Sequence, residues 1–280
     1  MPNDAVLAVL LGALLHASWN ATIKSGRNTF FDTILVATGA GLIAATTLPF
    51  LPLPAPKSIP YLATSSALQI GYFLLVAAAY RTSDMSYAYP LMRGTAPLLV
   101  AAASSLLVGE PLSGPGWLGV LLISSGVLAL TLAYRRAAPS LVPTAFALGN
   151  AVVIAGYTLI DGLGARLSGH VVGYTLWLSL LTGIPLLAWT AWARGDAFWT
   201  YARQRWMVGL AGGFCTLGSY GLALWAMTRA PIATTAALRE TSIVFGMLIS
   251  AVVLKERVGL ARFAAGAVIA LGAAALRWPG

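Results

Sequence analysis

Residues 237–259 read ALRETSIVFGMLISAVVLKERVG, and residues 91–113 read LMRGTAPLLVAAASSLLVGEPLS. A shift of 146 positions lays one on the other without a gap. Arg93 then falls on Arg239, Thr95 on Thr241, Ser104 on Ser250 and Glu110 on Glu256. Further along, Ile123 meets Ile269 and Gly126 meets Gly272. Apolar coincidences are cheap in a chain that is 59% hydrophobic, but coincident Arg and Glu are not when only 9% of residues are charged. The pattern therefore divides the chain into two repeats, close to residues 1–136 and 138–280.

Composition supplies the medium. A soluble globular domain carries roughly 25% charged residues, so 9% leaves too little polar surface for a water-soluble body of 280 residues. The mean hydropathy is +0.82. Ten apolar segments can be placed, near 4–23, 30–50, 59–80, 84–108, 115–134, 141–161, 169–193, 205–228, 232–253 and 259–277. Each has about the length that crosses ~30 Å of hydrocarbon. The breaks between them, among them KSGRN, LPLPAPK, GEPLSGPG and YRRAAPS, are short and rich in Gly, Pro and charge. The longest, ARGDAFWTYARQR at 193–205, mixes aromatic and basic residues as a headgroup-level segment does. The expected fold class is an all-α membrane protein of ten transmembrane helices. The first apolar stretch lacks a basic leader region and reads as a retained helix, not a cleaved signal.

Several functions drop out at this stage. The net charge of +9 comes with no long basic run, so no nucleic-acid partner is expected. The single Cys215 gives neither a disulfide framework nor a thiol metal site. No metal and no cofactor is expected. The sequence has no H-E-x-x-H, no G-x-S-x-G and no pair of intramembrane aspartates, so an enzyme is not expected. A repeat of five crossings is odd, so the second copy enters the membrane from the opposite side. Inverted repeats place a substrate near the midplane, where rocking exposes it to each side in turn. The expected partners are a small-molecule substrate and the lipid bilayer, with the chain a monomer or homodimer.

The candidate substrate-binding residues are His16, Trp19, Asn20, Tyr80, Tyr89, Arg93, Tyr157, Trp225, Arg239 and Glu240. An arginine at membrane depth faces a bundle interior or a wet cavity. Three roles are open to Arg93 and Arg239. One or both can hold a substrate carboxylate through paired donors. Each can instead pair internally with Glu240, Asp161 or a backbone carbonyl. Or crossed pairs, Arg93 with Glu256 and Arg239 with Glu110, can act as alternating gates, although both glutamates also suit turn anchors before a helix start. Thr235, Arg239 and Ser242 share a helix face, as do Ser86, Tyr89 and Arg93, and as do Asn150, Ile154, Tyr157 and Asp161. Glu240 should turn about 100° away from Arg239 and meet a partner on a neighbouring helix. His16 can carry a coupling proton or can be a packing histidine. Tyr80, Trp225 and Trp19 suit the lining of a cavity for aromatic or cationic solutes. Helices 1, 3, 4, 6, 8 and 9 should line that cavity, with 2, 5, 7 and 10 outside.

The ten-helix plan, the LLHASWNATIKSG first helix and the paired GEPLS and KERVG turns resemble the drug/metabolite transporter superfamily, specifically its EamA-type exporters. The resemblance covers nearly the whole chain. It implies export of amino acids, their relatives or toxic cations across a bacterial inner membrane. A toxic-cation exporter, a lipid flippase and an accessory membrane subunit stay as alternatives. Arg93 and Arg239 favour amino acids over dications. The loops after odd-numbered helices hold eleven Lys and Arg, the other side four. That bias places both termini outside, whereas superfamily members are often described with both inside.

Overall fold

The computed structural model describes residues 1–24, 26–82, 85–133, 141–253, 255 and 259–278. The side chains of Lys24, Ala77, Tyr80, Arg81, Thr82, Met85, Ser86, Leu132 and Ala133 also lie outside the description. Helices follow in the order α1 (Asn3–Lys24), α2 (Thr29–Thr47), α3 (Ile59–Thr82), α4 (Met85–Ala103), α5 (Gly114–Ala133), α6 (Leu141–Leu167), α7 (Val171–Met227), α8 (Ile232–Arg239), α9 (Ser242–Val252) and α10 (Leu260–Ala275). Among the described residues there is no strand.

Helices and crossings do not correspond one to one. The 57 residues of α7 would reach about 85 Å if straight, far more than one bilayer. Non-helical backbone at Gly195 (φ 46°) and Arg205 (φ −128°) folds it into two crossings joined by a short helical link. Gly195 takes the positive φ that side chains resist. The stretch at 193–205, expected as a headgroup-level segment between helices, is helical, with a bend at each end. It presents Trp192, Trp199 and Trp206 outward, as an interfacial belt does. Conversely, α8 and α9 have only 8 and 11 residues and share one crossing, Ile232–Val252. The helix α6 runs past the expected end at 161 to Leu167.

The packing repeats itself when the halves are exchanged. The helix α3 lies on α6 as the second crossing of α7 lies on α1, and α4 lies on α6 as α9 lies on α1. The two remaining pairs, α2 with α7 and α5 with α10, sit on the symmetry axis. Residues that matched in the sequence meet there. A Cβ on Gly126 would lie 2.8 Å from Ile269 Cγ1, and one on Gly272 would lie 2.8 Å from Ile123 Cγ1. Each isoleucine thus fills the space the other repeat's glycine leaves, the small-residue packing that lets helices close up in lipid.

Consecutive crossings alternate, so helix ends sort onto two faces. One carries Asn3, Glu110, Arg166, Met227 and Ile232; the other carries Asn28, Thr29 and Arg205. Toward the Asn3 face lies the largest apolar core, with Ala5, Val9, Val100, Tyr174, Leu224, Ile232 and Ala236 all buried. Two shallow apolar grooves run along the outside of α5 and α10, and neither is lined by a charged residue.

Candidate functional site

The crossing made by α8 and α9 is pinched where its charges sit. Glu240 (φ −68°, ψ −13°) and Thr241 (φ −58°, ψ −15°) leave the α-helical geometry. The N–H groups of Glu240, Thr241, Ile243 and Val244 each donate to a carbonyl three residues back. Tight turns of this kind in mid-helix mark hinges. The equivalent stretch of α4 is irregular too. Pro90 and Pro97 lie inside it, and five residues of π-helix, Ser104–Val108, follow it. Pro97 has no N–H to give, so the Arg93 carbonyl loses its α-helical donor.

Arg93 and Glu240 meet across these two irregular helices. Arg93 Nη2 lies 2.7 Å from Glu240 Oε1 and Nε donates to Oε2 at 3.0 Å. This is the two-pronged fork that suits guanidinium to carboxylate. Arg93 is 8% exposed and Glu240 4%. The expectation that Glu240 finds a partner on a neighbouring helix is met by the arginine of the other repeat.

Arg239 is left over. Among the described residues no carboxylate lies within ion-pairing distance of it. Its Cζ sits 5.0 Å over the ring of Tyr220. The repeat explains this. The 146-residue shift that maps Arg93 onto Arg239 maps Glu240 onto Gly94. Exchanging the halves turns Arg93–Glu240 into Arg239–Gly94, a pair with no acid. Leu128 of α5 fills the space beside Gly94, since a Cβ there would lie 2.7 Å from Leu128 Cγ.

The rest of the cluster surrounds these charges. His16 is within electrostatic reach of both arginines, and Tyr72, Tyr89 and Tyr157 are within reach of Arg93. Trp19 packs edge-on against His16, with ring centroids 5.1 Å apart. Its indole Nε1 is buried and, among the described residues, has no hydrogen-bond partner. Asn20 Nδ2 donates to the His16 carbonyl at 2.8 Å. Tyr72 and Tyr157 stack edge-on at 6.1 Å. Asp161, fully buried, accepts from Tyr174 Oη at 3.0 Å, from Gln69 Nε2 at 3.1 Å and from Tyr220 Oη.

Of the ten sequence candidates, eight gather here: His16, Trp19, Asn20, Tyr89, Arg93, Tyr157, Arg239 and Glu240. Trp225 sits two residues from the end of α7 and stacks on Arg229, 4.4 Å away. The Tyr80 side chain lies outside the described residues. Asp161, Tyr220, Tyr72, Gln69 and Tyr174 join the cluster without being among the sequence candidates. Ser65, Gln69 and Tyr72 have helical face spacing, a usable signal for α3. Tyr174 offered none, and it brings in the first crossing of α7, which was expected outside the cluster.

The proposed gate between Arg239 and Glu110 is not formed. Glu110 instead ties helix ends together on the Asn3 face. Its Oε1 lies 2.6 Å from Arg166 Nη1, and its Oε2 accepts the Ile232 N–H at the start of α8 at 2.9 Å. Arg166 then donates to the carbonyls of Met227 at 2.7 Å and Ala230 at 3.1 Å. The carboxylate thus anchors a helix start, as its sequence position suggested, but in the other repeat. Its counterpart Glu256 lies outside the described residues. Asp4–Arg229 at 3.0 Å and Arg277 to Asn3 at 3.0 Å add ties on the same face. On the opposite face Arg205 Nε binds the buried Asp32 at 2.8 Å. If the Glu110–Arg166 latch holds the Asn3 face shut, Glu110→Gln opens it. A cysteine placed at the buried Ala233, in a Cys215→Ser background, then reacts several-fold faster with an impermeant maleimide. Equal labelling rates with and without Glu110→Gln would show that the latch is not a gate.

Comparison with known proteins agrees with this architecture. No curated protein matches the chain. A crystal structure of a protein 21% identical in sequence superposes with a TM-score of 0.77, covering 99% of this chain and 97% of that one. At that identity the likeness shows the fold. The sequence profile of the EamA-like transporter family matches twice, at residues 4–132 and again at 143–278. With nearly the whole chain accounted for by the two matches, this multi-pass membrane protein belongs to the EamA-like transporter family.

Proposed function

We propose that this transporter moves small carboxylate-bearing metabolites, amino acids among them, outward across a bacterial inner membrane by alternating access. The halves near 1–136 and 138–280 rock about the axis through α2, α7, α5 and α10. The observation that carries the reading is the unmatched Arg239. A half-buried guanidinium at membrane depth without a carboxylate is costly. The chain supplies a glutamate to Arg93 and a glycine at the equivalent place for Arg239. A substrate carboxylate takes the missing partner's role. Tyr220 holds the guanidinium by its ring in the meantime, a contact of about 0.5–2 kcal/mol that a paired charge replaces.

Counterflow in proteoliposomes with a panel of labelled amino acids tests this. Arg239→Ala is expected to cut transport at least tenfold, as losing a charge-assisted two-pronged contact of about 1.5–3 kcal/mol does. Its melting temperature in detergent should fall by less than that of Arg93→Ala, because no direct ion pair is broken. Arg239→Lys should recover only part of the rate, since an ammonium lacks the fork. Normal counterflow by Arg239→Ala would remove Arg239 as the anchor.

A further inference from the structure

We propose that Asp161, acting through Tyr220, determines which carboxylates the site accepts: those that carry their own ammonium group are taken, and bare monoanions are turned away. This rests on the reading of Arg239 as the carboxylate anchor.

Asp161 lies on α6 at 0% exposure. Its hydrogen bonds come from neutral donors, Ser65 and Gln69 on α3 and Tyr174 and Tyr220 on α7. Among the described residues no Lys or Arg lies within ion-pairing distance of it. The nearest compensation runs through Tyr220, whose hydroxyl donates to Asp161 and whose ring carries the Arg239 guanidinium. Donation to a carboxylate enriches the phenol ring, and an enriched ring holds a cation better. Cation, ring and anion thus form one chain across the centre of the protein.

Formal charges then decide. Arg93 and Glu240 cancel each other, and Arg239 and Asp161 cancel through Tyr220. His16 on α1 and Tyr72, Tyr89 and Tyr157 on α3, α4 and α6 complete the groups around the arginines, and none brings a carboxylate. A solute of zero net charge leaves the centre neutral. A monoanion leaves it with one unbalanced negative charge in a medium that penalises it. Removing the Asp161 charge makes the centre net positive and reverses the preference. A unit charge one aromatic ring away in a low-dielectric interior shifts binding by about tenfold or more. Asp161 therefore acts as a positioning and charge-setting residue, with no contact to the solute required.

The test is competition against labelled phenylalanine in proteoliposomes, with 3-phenylpropionate, which lacks the amine, as the probe. The alanine–propionate and leucine–4-methylpentanoate pairs serve as replicates in other sizes. The parent should favour the amino acid over the bare acid by at least about tenfold. Asp161→Asn should erase or invert that ratio, and Asp161→Glu should restore it. Tyr220→Phe, which keeps the ring and loses the link, should narrow the ratio even if Asp161→Asn does not fold. A bare acid that competes as well as the amino acid in the parent overturns the inference. So does an unchanged ratio in Tyr220→Phe or Asp161→Asn. Normal transport by Arg239→Ala would instead sink the anchor reading, so the two failures are distinguishable.

Discussion

Glu240→Ala is expected to destabilise the protein by about 3–5 kcal/mol and Arg93→Ala by a similar amount, because each leaves one uncompensated charge in the interior. The pair is closed by contacts of 2.7 and 3.0 Å and is almost fully out of solvent. Thermal denaturation in detergent reads the loss directly. The double variant Arg93→Met with Glu240→Leu separates stability from mechanism. Replacing a buried pair by apolar groups of similar size is often neutral or stabilising, so its melting temperature should return near that of the parent. Transport should not return. The pair joins two helices that are both irregular at that point, α4 with its prolines and the α8–α9 break, which is where a hinge would act. A double variant that transports normally would show that the pair only holds the bundle together. Two single variants as stable as the parent would show that the charges are compensated elsewhere.

Gly272→Leu and Gly126→Leu are expected to abolish the folded, monodisperse protein. At both positions even a Cβ would lie 2.8 Å from an isoleucine of the opposite repeat, and on Gly272 it would also lie 2.8 Å from the Gly119 carbonyl oxygen. Overpacking a tight core costs about 1–3 kcal/mol when neighbours can shift. Here the backbone of the facing helix is in the way, so the helices must separate along α5 and α10. The compensating change is specific. Ile123→Ala should partly rescue Gly272→Ala, and Ile269→Ala should partly rescue Gly126→Ala. Size-exclusion profiles in detergent check both sets. Monodisperse Gly272→Leu protein would mean that the α5–α10 crossing is looser than drawn.

The reciprocal Ile–Gly contacts show what a sequence repeat can reveal. Ile123 and Gly126 match Ile269 and Gly272 in the sequence, and the match gives the repeat, while the contact between them is tertiary. The Arg239–Glu240 neighbourhood shows the opposite. Adjacent residues on a helix point about 100° apart, so adjacency turned the two in different directions but named no partner for Glu240. Glu240 was expected on a neighbouring helix and Arg93 was expected to face inward. That the two meet each other depended on how α4 and the α8–α9 break are rotated. Glu110 was legible as a helix anchor, yet which helix it anchors was not, because the chain returns to it 122 residues later.

By itself, the sequence determined the medium, the number of crossings and the two-fold repeat. Lipid forces each crossing to satisfy its own backbone hydrogen bonds, so length, hydropathy and break residues are local quantities and can be read along the chain. Only the tertiary structure decided which arginine keeps the glutamate and which rests on the Tyr220 ring. Only the structure brought Asp161, Gln69, Tyr174 and Tyr220 into one network. Those outcomes depend on helix rotation and crossing angle, set by small-residue contacts between distant segments such as Gly126 with Ile269. No single stretch of the chain contains that information.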